Sequence, residues 1–396
     1  MPSTNLNRIL IGLLLCCIFG CDLTHPEVIT TPILYLNILT KEGDLAQKNT
    51  RIILRETPDS LSIAYEGKMK RRGGFSIGFP KHSFEIDLKE DVSIAQLPAD
   101  DDWILNANYI DKTFLRHVVC YELFSAMGAS NLASKCSYVE VDINGSYSGL
   151  YVLMEKLDKS GLAINDEDSL AFIFKEPHIF RASYENVTPQ HVDNFHQQTF
   201  PKIKKNDKRA TIEGIRDFIL NSDEPTFQEH FPQLFDMENI IDWHLLLLIS
   251  NNGDGILKNF YLYKQDSLAP IRVAPWDYDH SFGRDGDNEL NLDERPLDIH
   301  RSILFDRLLQ SDWYTSQLKE RWTHLNRQDI LSVEGLKQRI LQKADALGEA
   351  VGKNAERWPF ESKHYFDANT FDQEIDIMLQ FIDLRHNRLS TYFESL

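Results

Sequence analysis

An α+β fold in two lobes is what this sequence predicts, on three observations. Up to about residue 160 the apolar residues alternate in short runs broken by turn residues, which is the pattern of strands. From residue 209 the spacing becomes helical. Two short apolar strands, each followed or preceded by an acidic loop, interrupt that helical text between Asn251 and Gly283. A β-rich lobe followed by a helical lobe leaves a cleft in which a nucleotide-sized ligand fits.

The chain divides in order. Residues 1–20 read as a signal peptide: Arg8 gives a positive start, and Ile9 to Phe19 is apolar but too short to span a bilayer. The run ends at Ile18-Phe19-Gly20-Cys21, where a small residue before Cys resembles the bacterial lipoprotein cleavage box. That resemblance implies export, lipidation of Cys21 and a membrane anchor on the cell envelope, facing the periplasm or the outside. Ordinary signal cleavage beside an incidental Cys is the alternative. Residues 21–32 form a Thr- and Pro-rich tether, and 33–160 the β-rich lobe. Within that lobe His82 to Leu88 alternates as a half-buried strand, and Asp111 caps a helix that Gly128 stops. Asn144-Gly145 between two β-type runs is a hairpin signal, because both residues accept positive φ. Residues 161–208 are polar and irregular, an insertion or a lid. Residues 209–396 are mainly helical: Asp236 caps a helix to Ser250, and Ile375, Met378, Phe381, Ile382 and Leu389 trace one apolar face.

Composition excludes some functions. The 396 residues are 42% hydrophobic and 26% charged, with net charge −18. Such a surface repels phosphate backbones, so nucleic acid is not an expected partner. The basic cluster Lys202 to Arg209 is a solvated loop. Five cysteines reduce to Cys120 and Cys136 once Cys16, Cys17 and Cys21 are assigned to the leader and anchor. Outside the cytoplasm those two either pair or remain thiols. Oligomeric state is not legible.

The chemistry concentrates in Asn251-Asn252-Gly253-Asp254-Gly255 with Asn259, then Trp276-Asp277-Tyr278-Asp279 with Phe282-Gly283. An Asp, an Asn five residues on, and a second Asp near Phe-Gly is the order in which phosphoryl-transfer sites place a base beside a metal pair. Asp254 fits either a base or a turn residue; Asn259, Asp277 and Asp279 offer oxygen ligands to Mg or Mn. An EF-hand starting at Asp277 fails, since Phe282 and Asn288 stand where Gly and Glu are required. No zincin helix, serine-hydrolase elbow or P-loop occurs. On the first lobe, Lys70-Arg71-Arg72-Gly73-Gly74 through Lys81 is a basic, Gly-rich turn suited to phosphate. Glu155 is placed to orient Lys81 as a kinase Lys–Glu pair does, or else to sit in a surface pair.

Together these blocks resemble the CotH kinase family. The likeness rests on Arg72-Gly73-Gly74-Phe75-Ser76 with Pro80-Lys81, Trp103 to Asp111 with Arg116, Val139 to Gly145 with Gly149-Leu150-Tyr151 and Glu155, Asp254 with Lys258 to Tyr263, and Trp276 to Asp279 with Phe282-Gly283. It implies an atypical protein-kinase-like fold and ATP-dependent, Mg- or Mn-dependent phosphorylation of Ser or Thr on a protein substrate. Arg72, Lys81 and Glu155 then lie on the nucleotide side, Asp254 is catalytic, and Asn259, Asp277 and Asp279 hold metal. Gly74 stands where the family has Asn. A non-catalytic surface lipoprotein that binds protein or glycan on a kinase-like scaffold is the competing reading, and nucleotidyl transfer would use the same residues.

Overall fold

Alternating side chains close the β-rich part into a seven-stranded barrel. In the computed structural model, residues 33–40, 50–56, 63–185, 187–188, 192–286, 288–359 and 367–396 are described; the expected signal peptide, tether and Cys21 lie outside them. The barrel strands are β1 (Leu34–Thr40), β2 (Thr50–Arg55), β3 (Tyr65–Arg72), β4 (Ser83–Val92), β5 (Asp100–Asn106), β6 (Cys136–Ile143) and β7 (Ser146–Glu155). Their order is β1-β2-β3-β4-β5-β7-β6, and parallel pairing of β1 with β6 closes the ring. The apolar residues of each alternation, among them Leu36, Ile38, Leu54, Ile86 and Val141, fill its interior. Asn144 and Gly145 turn the β6–β7 hairpin at φ of 52° and 77°, as their side chains allow.

The outer face of β5 and β7 is not left to water. Trp103, Leu105, Tyr151 and Leu153 point into the barrel, while Ile104, Leu150, Val152 and Met154 join the core of the helical part. This follows from the period of two in a strand. The first long helix, α1 (Arg116–Met127), packs there and ends at Gly128.

A second, antiparallel sheet of four strands has the order β11-β10-β8-β9. Its strands are β8 (Phe172–Lys175), β9 (Gln198–Phe200), β10 (Phe260–Lys264) and β11 (Arg272–Pro275). Residues 161–208 were expected to be irregular, yet they supply β8 and β9. The apolar run Phe172-Ile173-Phe174 is too short to show a period, and it becomes a strand because β10 offers it an edge.

The remaining helices are α2 (Arg209–Asn221), α3 (Glu224–Leu234), α4 (Met237–Ser250), α5 (Ile303–Leu309), α6 (Asp312–Arg327), α7 (Val333–Arg357) and α8 (Phe371–Ser395). Helix α4 is buried from Asn239 to Ser250, the position of a helix apolar all round. Asp236 caps it by accepting from Asn239 N, and Asn251 ends it in the left-handed region at φ 56°. Helix α7 is kinked at Gly348, where φ is 37° and ψ −121°. Its last turn then straps the barrel: Asn354 Oδ1 accepts from Leu150 N at 3.1 Å, and Trp358 Nε1, just beyond the helix, donates to Ser148 O at 2.8 Å. Gly149, at φ 116°, lies beneath this strap; a Cβ there would stand 2.6 Å from Asn354 Oδ1.

Candidate active site

The β10–β11 register brings distant loop residues together. Phe260 opposes Pro275, so the residues just outside the pair meet. Trp276 N donates to Asn259 O at 3.0 Å, and Asn259 Nδ2 donates to Asp277 O at 3.0 Å. Both Asn259 and Asp277 take φ of 60°, a conformation that short amide and carboxylate side chains tolerate. From the other side α1 supplies two residues one turn apart, hence on one face. Tyr121 Oη accepts from Asp277 N at 2.9 Å, and His117 Nε2 lies 3.3 Å from Asp277 Oδ1.

His117, Asp277 and Asp279 thereby form a trio whose ligand atoms all lie within 4.8 Å of one another. The His117 ring is 5% exposed and the Asp277 side chain 52%, so a ligand approaches from the aspartate side. Burial opposes charge on His117, but its hydrogen bond to Asp277 and the charges of Asp279 and Asp277 outweigh this and raise its pKa. Burial also acts to raise Asp277; the hydrogen bond and charge of His117, with Arg72 and His280, hold that carboxyl below its usual range. Asp279 moves the other way, raised by burial and then by the charge of Asp277. Two carboxylates and an imidazole that perturb one another in this manner fit a divalent cation. Carboxylate oxygens suit Mg, and the nitrogen donor favours Mn. Asn259 has committed its amide nitrogen, so only its Oδ1 remains to offer.

The loop carrying Asp277 and Asp279 is held from behind. Arg116, beside His117, donates from Nε to Ser281 O at 2.9 Å and pairs with Asp111 at 2.6 Å and Glu374 of α8 at 3.1 Å. Glu374 in turn pairs with Arg284, which also binds Asp367 at 2.6 Å. The exposure of Arg116, Asp111 and Glu374 side chains is 2% or less, so these charges depend on one another.

Asp254 starts a short 3-10 turn, Asp254–Ile256, and its carboxylate lies 2.9 Å from Lys258 Nζ. It is not a member of the trio. Glu176 is raised mainly by burial, with the charges of Lys175, Asp277 and Lys258 also acting on its carboxyl.

The pairing of Lys81 with Glu155 does not form. Lys81 is 1% exposed, and its Nζ donates to Ala107 O at 2.8 Å and to Leu150 O. The rings of Tyr151 and Phe114 lie 4.4 and 4.9 Å from it, and burial drives its pKa well below that of ordinary lysine. Glu155 accepts from Lys135 N at 3.0 Å instead. Leu150 and Glu155 are five residues apart on β7, roughly 17 Å along a strand, which is why one lysine cannot reach both. Arg72, in contrast, lies beside the residue that precedes Asp277: its guanidinium is 5.6 Å from the centre of the Trp276 ring, and its charge acts on Asp277. Lys175, at the end of β8, lies 5.8 Å from the same ring.

Sequence reading missed His117, Tyr121, Lys175 and Glu176. The signal for His117 was a polar ring in an otherwise apolar helix, immediately after Arg116. Nothing local marked Lys175, since β8 itself was not recognised.

The family described as CotH kinase protein matches residues 69–389. Inner spore coat protein H of Bacillus subtilis (strain 168) is 23% identical over 344 residues, covering 85% of this chain and 88% of that protein. Among solved structures, the Helicobacter pylori proinflammatory kinase CtkA aligns with 79% of this chain and 95% of its own, at 10% identity and a TM-score of 0.28. The family match spans the barrel from β3 onward, the second sheet, the trio and its support in α8, and on it the chain belongs to the CotH kinase family.

Proposed function

We propose that this chain is an exported, lipid-anchored protein kinase that transfers the γ-phosphate of ATP to Ser or Thr of a protein, with Mg or Mn. The observation that carries this reading is the convergence of His117, Asp277 and Asp279, from α1 and the loop after β11, within one ligand sphere. A divalent ion held there would neutralise phosphate charge and polarise the transferred group. Asp277 and Asp279 would hold it through oxygens and His117 through Nε2. Arg72, from the barrel, brings positive charge to the same place. Asp254 accepts the proton of the incoming hydroxyl; its present partner Lys258 must yield as substrate enters.

One observation favours the competing reading, a binding scaffold without transfer: the lysine expected to grip phosphate is locked onto two carbonyls. Incubation with labelled ATP and Mg or Mn decides between them. We expect label on protein substrate from the organism's envelope, and a loss of at least about a hundredfold in Asp254→Ala and in Asp277→Ala. Transfer undiminished in both variants removes the site assignment. Absence of transfer together with absence of ATP binding selects the scaffold.

A further inference from the structure

The amine that the barrel buries leaves the question of what holds the phosphate chain. Lys81 has no access to solvent and spends its donors on Ala107 O and Leu150 O. Two other cations converge on Trp276, the residue before Asp277. Arg72 ends β3, just before the Gly73-Gly74 turn, and Lys175 ends β8 in the other sheet. Each lies within 6 Å of the centre of the Trp276 ring, and Trp276 immediately precedes Asp277. The indole is itself fixed, 5% exposed, between Tyr121 and Tyr261.

These cations are under-neutralised. Among the described residues Arg72 makes no ion pair, and Lys175 has only Glu176, at 3.8 Å. That contact is longer than a direct hydrogen bond, so the Glu176 carboxylate only partly offsets the ammonium. Two like charges held against one ring repel unless an anion joins them, and a ring face alone contributes about 0.5–2 kcal/mol to each. The neighbouring trio presents carboxylates suited to a metal. Cations on one side and metal ligands on the other is the complement of a metal-bound phosphate chain.

We propose that Arg72 and Lys175, seated on Trp276, form the clamp for the β- and γ-phosphates of a nucleoside triphosphate, and that Lys81 is a structural lysine. This rests on the kinase reading and adds to it the residues that grip the phosphate.

Calorimetry in Mn²⁺ with ATP, ADP, adenosine and inorganic pyrophosphate tests it, on the full chain and on Arg72→Gln, Lys175→Met and Lys175→Arg. Each charge-removing variant is expected to weaken ATP about ten- to a hundredfold, ADP less, and adenosine not at all; Lys175→Arg keeps most of the affinity. Thermal melting checks that each variant is folded, and Lys175→Gln replaces Lys175→Met if the latter is not. Unchanged ATP affinity in both charge-removing variants overturns the clamp, as does an equal loss for ATP and adenosine. If the unaltered protein binds pyrophosphate but no ATP, and the variants lose pyrophosphate, the clamp stands and the kinase reading falls. If it binds neither, both fall.

Discussion

His117 adds a nitrogen donor to two carboxylates, and that one side chain is where metal preference is decided. We expect His117→Ala to weaken Mn²⁺ about tenfold or more while changing Mg²⁺ binding less, because imidazole suits the softer ion and Mg²⁺ leans on oxygen. Metal titration followed by calorimetry reads this directly, and equal losses for both ions would show the ring to be mere packing. At this scale the sequence was partly legible. Asp277, Asp279 and Asn259 stand in one stretch of text, so their meeting needed only a β-hairpin-like pair of strands. His117 lies 160 positions before Asp277 and joins it only through tertiary packing. Lys81 misled for a related reason: a basic Gly-rich turn looks solvated and free, and nothing in its text reports that the ammonium turns inward to β7.

At the scale of elements, two attachments govern the site. The strap at the end of α7 needs Gly149 bare. Gly149→Ala places a Cβ against Asn354 at positive φ, and we expect about 1–3 kcal/mol of lost stability in urea unfolding, with weakened docking of α7 on the barrel. Helix α8 reaches the site through Glu374. Glu374→Gln leaves Arg116 and Arg284 without their shared charge, and breaking such a buried pair costs about 3–5 kcal/mol. Because Arg116 also holds Ser281 O, the same variant is expected to weaken Mn²⁺ binding several-fold in protein that remains folded. Stability lost with metal affinity intact would make the network purely structural. The hairpin at Asn144-Gly145 and helix α4 were readable because their turn and cap residues carry their own conformational reasons. Helix α1 stops at Gly128 as expected, but it starts at Arg116 with Leu115 as its N-cap; Asp111 lies five residues earlier and accepts from Arg116 N across an intervening turn. The strands β8 and β9 were not, since four and three residues contain no period and their partner β10 lies far along the chain.

For the molecule as a whole, buried neutral histidines set the response to acid. Burial lowers His244, packed beside Tyr314, to about 3, and His178 to about 4, the latter helped by Arg181 and His196. Above pH 6.5 neither group distinguishes folded from unfolded chain. Below it the unfolded chain takes up protons first, so stability falls with pH, by about 1.4 kcal/mol per pH unit for each histidine, down to its folded value. We therefore expect the melting temperature to drop steadily from pH 6.5 towards 4, with a shallower slope in His244→Gln; an unchanged slope in that variant would remove His244 from the account. The mixed α+β character was legible from strand and helix periods; a division into two lobes was not borne out, since Pro32–Leu396 forms one compact unit whose helical part carries a second sheet. That the first part is a closed ring was not legible, because closure depends on β1 finding β6, and no local pattern records which strand a parallel partner will be.

That closing seam has a consequence for biogenesis. Leu34 leaves the ribosome roughly a hundred residues before Val139, the partner its strand requires. Until β6 and β7 have been synthesised, the first stave of the barrel has one neighbour and a bare edge, exposed to chaperones or to other nascent chains. The non-local pairing also makes ring closure a slow event in folding, so the start of the folded unit is locked only after its middle has formed.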